Sequence, residues 1–356
     1  MSTTLATDPP LRILYVGQLD AGGTCLQRFN ALRELGHHLE GIELFPPDML
    51  RANSRLWQRA RRKLFGIGPT DLCNVNGQIL DAMRLRSFDL LWLDKALTIR
   101  RSTFENVKQI SPGTTIVGYS PDDMGSWPYQ SRDFLRHLPL YDIYFTTKSY
   151  GVRDLQALGC PRVVFVPNAF DPAVHRPIPL TPEDREQFGG PVGFIGDYEA
   201  ERANMMTMLA ENGISIRIWG PNWNRLKTVH PNIRIEGKSV WSDDYAKAIC
   251  SFDINLGFLR KMGRDRQTTR SIEIPACGAF MLAERTEEHL GLFREGIEAE
   301  FFDSAEELLK KVKYFLANSA ARQTIAAAGR QRCLDSRYSN HGRLRTAIQE
   351  VVHLRK

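Results

Sequence analysis

Residues 13–36 read ILYVGQLDAGGTCLQRFNALRELG, and this stretch decides the fold. It opens with four apolar residues, Ile13 to Val16, which suit a buried strand. The glycine loop Gly17–Gly23 follows, and the apolar spacing after it predicts a helix from Thr24 to about Leu35. Gly36 stands where a helix C-terminal cap belongs. Strand, glycine loop and helix in this order are typical of a parallel α/β sheet.

The same alternation continues along the chain and predicts right-handed βαβ units, with parallel sheets covered on both faces. Further strands are predicted in the first half at Leu39–Phe45, Leu90–Leu93, Thr115–Tyr119, Ile143–Thr146 and Val163–Val166. In the second half they are predicted at Val192–Ile195, Ile214–Trp219, Ile233–Glu236, Ile254–Gly257 and Phe280–Ala283. Three helices are predicted over Ser304–Leu354.

A stretch rich in proline and glycine, His175–Pro191, interrupts this alternation and indicates a linker. The 356 residues also suggest two domains, since one domain takes on the order of 150 residues. The predicted fold class is α/β, with two doubly wound Rossmann-like domains facing across a cleft. The predicted segments are an N-terminal domain (1–176), a linker (177–191), a C-terminal domain (192–336) and a C-terminal helix (337–356) that packs back on the first domain.

The composition is that of an ordinary globular protein, with 42% apolar and 25% charged residues, which excludes disordered and collagen-like classes. A net charge of +6 permits an anionic ligand without requiring nucleic acid, and no nucleic-acid partner is expected. No apolar run approaches the roughly 20 residues of a membrane span, and no signal peptide is recognisable, so a cytoplasmic location is expected. The six scattered cysteines predict reduced thiols, and no metal-ligand spacing is present.

In open parallel sheets, ligands bind beyond the carboxyl ends of the strands, and this rule selects several loops. The first loop contains Gly22 and Gly23, which would let the backbone approach a ligand; a plain tight turn is the alternative. In the loop after Thr115–Tyr119, the carboxylates of Asp122 and Asp123 would bind hydroxyls, act as a base or hold a metal; capping of the next turn is the alternative. Asp94-Lys95 is either an ion pair at the cleft or a solvated strand end.

The stretch Arg264–Gly278 follows the strand that ends at Gly257 and combines several arginines with one carboxylate. Guanidinium groups such as those of Arg266 and Arg270 suit a diphosphate. Glu273, one turn further along, suits the vicinal hydroxyls of a ribose. A cluster of surface ion pairs is the alternative for this stretch.

The basic stretch Arg51–Lys63 contains five arginines and one lysine, with no acidic residue between Asp48 and Asp71. One interpretation is peripheral contact with an anionic membrane, at its inner face, or binding of a polyanionic acceptor. The other is a helix packed on its own domain with a solvated arginine face.

Over nearly its whole length the chain resembles the GT-B glycosyltransferases of the retaining group-1 class, most closely their spore-maturation (CgeB-type) branch. Val166-Pro-Asn-Ala-Phe-Asp171 is similar to the Pro-Asn-Gly-Val-Asp segment that ends the first domain in that class. Gly193-Phe-Ile-Gly196, followed by Glu201-Arg202, is similar to the opening of the branch's second domain. Arg270–Phe280 is the most specific match, and Phe301–Leu308 and Ile325–Arg330 fit the branch's tail.

The resemblance implies roles for particular residues. Glu273 matches the second glutamate of the class's Glu-x7-Glu signature, which binds the donor ribose, and Asp265 stands at the position of the first. The class has a catalytic histidine in a first-domain loop, and Asp122 and Asp123 occupy the best counterpart here. The predicted donor-binding residues are Gly196, Arg202, Arg266, Arg270, Glu273, Gly22 and Gly23.

The function predicted on these grounds is transfer of a hexose, with retention, from a nucleotide diphosphate sugar to the hydroxyl of an unknown saccharide, lipid-linked or small-molecule acceptor. Cell-surface or secondary glycoconjugate synthesis is the expected setting. No metal and no cofactor are expected, with the nucleotide sugar as co-substrate. A nonhydrolysing sugar-nucleotide epimerase and a catalytically silent binding or assembly protein on the same fold are the alternatives.

Overall fold

The computed structural model describes residues 9–45, 68–127 and 129–356. The basic stretch Arg51–Lys63 lies outside these described residues. The chain divides into two compact units. The first comprises residues 1–167 and 340–356, and the second comprises residues 168–339.

The first unit is built on six parallel strands. They are β1 (Arg12–Gly17), β2 (His38–Glu43), β3 (Leu90–Asp94), β4 (Thr115–Ser120), β5 (Ile143–Thr146) and β6 (Val163–Phe165). Their order across the sheet is β2-β1-β3-β4-β5-β6. The described helices of this unit are α1 (Thr24–Glu34), α2 (Val75–Leu85), α3 (Arg101–Ile110), α4 (Arg132–His137), α5 (Gly151–Ala157) and α13 (Asn340–Arg355).

The central strands of the first unit are covered on both faces, as their continuous apolar sequence predicts. Every residue of β3 and β4 is buried. On one face the ring of Trp92 stacks between those of Tyr15 and Phe145, with centroid distances of 6.3 and 5.8 Å. The helix α1 ends at the predicted cap, because Gly36 has a φ of +95° and the following N–H of His37 donates to the carbonyl of Leu32.

The second unit contains another six-stranded parallel sheet. Its strands are β7 (Gly190–Ile195), β8 (Ile216–Trp219), β9 (Ile233–Ile235), β10 (Phe252–Gly257), β11 (Met281–Glu284) and β12 (Glu300–Phe302). Their order is β12-β11-β10-β7-β8-β9. Its described helices are α6 (Pro182–Phe188), α7 (Ala200–Glu211), α8 (Ser242–Ser251), α9 (Arg270–Ala276), α10 (Glu287–Leu292), α11 (Ala305–Ala317) and α12 (Ser319–Asp335). The prediction of two doubly wound parallel sheets is confirmed.

The predicted linker 177–191 is wrong as a linker, because these residues belong to the second unit, which begins at Asn168 rather than after residue 176. Pro182 starts the helix α6 instead of breaking the chain, since proline is tolerated in the first turn of a helix. The side chains of Thr181 and Asp184 form a capping box at its start. The ammonium of Lys247 on α8 lies 2.9 Å from Asp184 and ties α6 to the unit.

Two short elements of the second unit, β12 and α10, were not predicted, because three strand residues and six helix residues carry too little periodicity. The three predicted C-terminal helices are present as α11, α12 and α13. The last of them, α13, groups with the first unit. There its apolar face, with Leu344 and Ile348, shares a core with Leu32 of α1.

Candidate functional site

The order of strands in the second unit reverses between β7 and β10, which lie side by side at its centre. The chain leaves the carboxyl ends of these two strands in opposite directions, so the loops 196–199 and 258–269 diverge and leave a crevice between them. Doubly wound sheets bind ligands at this switch point. The crevice is therefore the place where side chains of the second unit would meet a ligand.

Arg202, in the first turn of α7, is 4% exposed although it carries a charge. Its Nη1 donates to the carbonyl oxygen of Asp197 at 3.0 Å, and its Nη2 lies 3.6 Å from a carboxylate oxygen of Glu199. Its guanidinium carbon lies 5.6 Å from the ring centroid of Phe194. The Nε atom is buried and has no hydrogen-bond partner among the residues that the structure describes.

A second guanidinium, that of Arg270 at the start of α9, also has a buried Nε without a partner in the described part of the chain. Burial lowers the pKa of Arg202 below its ordinary value, Glu199 raises it, and the charges of Arg270 and Arg260 lower it further. Like charges gathered in this way are costly unless an anion joins them. The arrangement is therefore suited to an anionic ligand with several oxygens.

The loop after β7 is fixed by close backbone packing at Gly196. The indole Nε1 of Trp223 donates to the Gly196 carbonyl at 2.9 Å. A Cβ on Gly220 would lie only 2.0 Å from the same carbonyl oxygen, and Gly220 has a φ of +142°. The close approach and the positive φ both require glycine at position 220. Together with the bond from Trp223, this packing holds the loop that carries Gly196 in place.

Glu273 on α9 is 5% exposed and is held by two side chains of the same unit. The hydroxyl of Tyr245 on α8 donates to its Oε2 at 2.5 Å. The ring Nε2 of His175 lies 3.6 Å from its Oε1. The surface ion pair with Arg270, which was the alternative for Glu273, does not form in the described part of the chain. A buried carboxylate with lone pairs to spare remains available to donor groups of a ligand.

The start of α9 rests on a buried histidine, His289, which is 0% exposed. Its Nδ1 donates to the carbonyl of Glu284 at 2.6 Å, so its Nε2 accepts from the hydroxyl of Ser271 at 2.7 Å. Burial lowers the pKa of His289, which keeps the imidazole neutral in this role. The oxygen of Ser271 also accepts from the backbone N–H of Thr268. These bonds fix the backbone on which Arg270 and Glu273 stand.

The loop before α9 contains the other two predicted residues of this stretch. Arg266 is exposed, and its carbonyl accepts from the hydroxyl of Thr286 at 2.6 Å. Asp265 is partly buried, and its backbone N–H donates to the carbonyl of Arg260 at 3.2 Å. Both lie on the crevice side of β10, in the loop that leads to Arg270.

In the first unit, the predicted pair Asp122-Asp123 follows the carboxyl end of β4. Asp122 forms an ion pair with Lys95, and its side chain is 20% exposed. Asp123 is 1% exposed. The helix α4 is capped by Ser131, whose side chain accepts from the N–H of Phe134. Capping of the turn directly after the pair remains the alternative role of Asp122 and Asp123. Lys95 therefore pairs with Asp122, and not with Asp94 as one sequence interpretation had it.

Asp94 itself, at the end of β3, is buried rather than solvated. Arg28 of α1 donates to it through Nε at 2.7 Å and through Nη2 at 3.1 Å. The hydroxyl of Tyr15 donates to it at 2.5 Å.

The predicted glycines Gly22 and Gly23 lie in the loop that joins β1 to α1, where Gly22 has a φ of +83°. They belong to the first unit, whereas the other predicted donor-binding residues belong to the second.

Sequence reasoning missed three residues of the site: His175, Tyr245 and His289. Tyr245 lies on α8 and packs against a cluster of buried apolar side chains, and no local pattern in the sequence marks it as a partner of a carboxylate. The two histidines carry no local pattern, because Glu273 and Ser271, which they meet in the site, come from other segments of the chain.

Within residues 9–45, 68–127 and 129–356, no three His, Cys, Asp or Glu side chains come together as metal ligands. None of the described helices is both long and apolar enough to cross a membrane. The six cysteines all lie in described segments and form no disulfide there.

Solved structures with the same architecture match almost the whole chain. A glycosyltransferase from Rickettsia africae superposes with a TM-score of 0.65, at 14% identity, over 98% of this chain and 100% of that one. HepE from Anabaena, solved with UDP and glucose, superposes with a TM-score of 0.61, at 13% identity, over 96% and 99%. The trehalose 6-phosphate synthase of Burkholderia multivorans gives 0.62, at 13% identity, over 97% and 99%.

The chain has the GT-B fold. Residues 202–349 also match the sequence model of a family described as glycosyl transferase-like. That match includes Arg202, Arg270 and Glu273. A search of curated proteins finds no match.

Proposed function

We propose that this protein transfers a sugar from a nucleotide diphosphate sugar to an acceptor hydroxyl. One observation carries the proposal: Arg202 and Arg270, each with a buried and unpartnered Nε among the described residues, stand at the switch point of the second sheet. One helical turn after Arg270 comes the buried carboxylate of Glu273. Two guanidinium groups followed by a carboxylate match a diphosphate followed by a ribose.

The arginines have a defined task in this reaction. Transfer breaks the bond between the sugar's anomeric carbon and a diphosphate oxygen, so negative charge grows on the departing diphosphate. Guanidinium groups already fixed in place stabilise that charge without reorganising. We assign this role to Arg202, Arg270 and the exposed Arg266, with Gly196 allowing the backbone to approach the diphosphate. Because arginines supply the positive charge, we propose that transfer needs no metal ion.

On the acceptor side we propose Asp122 and Asp123, with Asp122 as the better candidate because its side chain is 20% exposed. Its carboxylate forms an ion pair with Lys95 and would accept a hydrogen bond from an acceptor hydroxyl. For Gly22 and Gly23, binding of the donor remains a prediction. The resemblance alone supports anomeric retention, a hexose as the sugar and the CgeB-type branch. The positive charge of Arg51–Lys63 alone supports peripheral contact with an anionic membrane.

The proposal is tested with the full chain and a panel of UDP-, GDP-, ADP- and CMP-sugars. Thermal stabilisation by a nucleotide diphosphate sugar, followed by its slow hydrolysis, is the expected result. Conversion of the donor's own sugar, without transfer to water or acceptor, would instead identify an epimerase. No stabilisation by any donor would identify a silent protein and would contradict the proposal.

Replacing Glu273 tests the ribose contact. We expect Glu273→Ala to weaken binding of the preferred donor about tenfold, because one charge-assisted hydrogen bond contributes roughly 1.5–3 kcal/mol. Glu273→Gln keeps the shape and should lose less. Calorimetric titration measures the affinity, and circular dichroism confirms folding. A folded Glu273→Ala protein with the parent's affinity would contradict the assignment.

Replacing Asp122 tests the acceptor side. We expect Asp122→Asn to lower turnover at least tenfold while donor affinity stays within twofold, since the residue belongs to the other unit from the arginines. Turnover is measured as release of the nucleotide diphosphate. Asp133→Asn is the matched control, because this aspartate of the same unit lies on α4 and its side chain is 45% exposed. If the parent and Asp122→Asn had equal turnover, the loop after β4 would have a purely structural role.

A further inference from the structure

The side chain of Glu273 is held by more contacts than a carboxylate needs merely to bind a ligand. Three segments of the second unit converge on it: the chain before α6 contributes His175, α8 contributes Tyr245, and α9 contributes Glu273 itself. The rings of His175 and Tyr245 meet edge to face, with centroids 5.6 Å apart and planes at 79°. Each ring therefore limits the freedom of the other.

Tyr245 acts on one oxygen of the carboxylate. Its hydroxyl donates to Oε2 at 2.5 Å, a distance typical of a bond to an ionised acceptor. Burial raises the pKa of Tyr245 well above its ordinary value, and the charge of Glu273 raises it further. The hydroxyl therefore keeps its proton and remains a donor.

His175 acts on the other oxygen. It is 3% exposed, and its Nδ1 accepts from the backbone N–H of Asp171 at 2.9 Å. Because Nδ1 is an acceptor, a neutral ring carries its proton on Nε2. That nitrogen faces Oε1 of Glu273 at 3.6 Å, an electrostatic contact longer than a hydrogen bond. The backbone N–H of Asp171 thus determines that the protonated nitrogen, Nε2, is the one that faces Glu273.

With one donor on each side, the carboxylate cannot rotate without losing a contact. Each of its oxygens has two lone pairs, so at least one on each remains for a ligand. Two acceptor sites at a fixed spacing match two neighbouring hydroxyl groups, and they match a single hydroxyl less well.

We infer that His175 and Tyr245 are positioning residues that hold the Glu273 carboxylate in the orientation in which it meets both ribose hydroxyls. The inference rests on the proposed function and deepens it. It concerns residues that act through Glu273 and do not themselves touch the donor.

The experiment uses the full chain and calorimetry with UDP, GDP, ADP and CDP. The tightest binder is then compared with its 2′-deoxy counterpart. For the parent we expect the ribonucleotide to bind at least tenfold more tightly than the deoxyribonucleotide, about the effect of one charge-assisted hydrogen bond. This comparison needs no variant, and equal affinities in the parent would overturn the inference.

Two variants test whether Tyr245 and His175 are responsible for this difference in affinity. Tyr245→Phe and His175→Gln are each expected to weaken ribonucleotide binding about fivefold and to leave deoxyribonucleotide binding within twofold. The matched control is Tyr338→Phe, because this buried tyrosine of the same unit donates to the carbonyl of Leu292 and not to Glu273. It should leave the ratio of the two affinities unchanged.

The outcomes separate the two proposals. If the parent binds none of the four nucleotides, the proposed function fails and the inference fails with it. If the parent discriminates but the folded variants keep its ratio, the inference fails while the proposed function stands. A lower melting temperature without any change in the ratio would show that His175 and Tyr245 only pack the core.

Discussion

Arg270→Ala is expected to weaken binding of the preferred nucleotide diphosphate about 100-fold. Arg270 presents a buried Nε without a partner in the described part of the chain, so its hydrogen-bonding capacity is left for a ligand. A bidentate guanidinium–diphosphate contact contributes about 3 kcal/mol, which corresponds to roughly this factor. The change also removes the like charge that lowers the pKa of Arg202. The folded protein should therefore lose affinity without losing stability.

Arg270→Lys separates charge from shape. It keeps the positive charge but loses the planar fork, so we expect an intermediate loss of about tenfold. Arg234→Ala is the matched control, because Arg234 is an exposed arginine of the same unit that pairs with Glu236. Calorimetry gives the affinity of each variant. If the Arg270→Ala protein bound the nucleotide diphosphate as tightly as the Arg234→Ala control, the assignment of the diphosphate to this crevice would be wrong.

The second large effect concerns acid stability, and it arises from His137 at the end of α4. This ring is 0% exposed and stacks on Phe104 at 4.7 Å. Neither ring nitrogen has a hydrogen-bond partner of normal geometry among the described residues. Burial lowers its pKa from 6.5 to about 4, although the carbonyl of Ile99 offsets part of that effect. The folded protein therefore holds His137 as the neutral imidazole.

The sign of the pH dependence follows from this lowered pKa. The unfolded chain binds a proton at His137 below pH 6.5, whereas the folded chain does so only near pH 4. Stability from this group is thus present above pH 6.5 and is lost as the pH falls to 4. The loss is about 3 kcal/mol, or about 6–12 °C in Tm for a unit of this size.

His137→Phe tests this expectation, because phenylalanine keeps the stacking and cannot titrate. The Tm of the parent should fall about 6–12 °C more than that of the variant between pH 7 and pH 4. Calorimetric scans at both pH values measure the difference. The exposed His353 of α13 supplies the control His353→Gln, which should follow the parent. Parallel pH profiles for the parent and His137→Phe would contradict the lowered pKa.

Much of the fold follows from local sequence patterns. Buried strands such as Leu90–Asp94 are continuous apolar runs, and helices such as Thr24–Glu34 repeat apolar residues at helical spacing, so each element can be recognised within its own segment. The linker prediction failed because proline serves both to break a helix and to begin one. Only the capping box at Thr181 distinguishes the two uses.

Part of the site could be predicted for the same reason. Arg270 and Glu273 stand three residues apart after a predicted strand, and a strand end is where a doubly wound sheet binds its ligands. Arg202 was identified through the resemblance, not through any local pattern. His175 and Tyr245 were missed, because neither residue has a sequence neighbour that indicates a contact with Glu273.

The sequence by itself therefore determined most strands and helices in their order along the chain, the division into two parallel sheets and the stretch that carries the site. Only the tertiary structure decided that Lys95 pairs with Asp122, that residues 177–191 belong to the second unit and that Tyr245 and His175 hold Glu273. The physical reason is that backbone periodicity is a local property of the chain. The pairing of buried polar groups is decided by which distant segments the packed core brings within hydrogen-bonding reach.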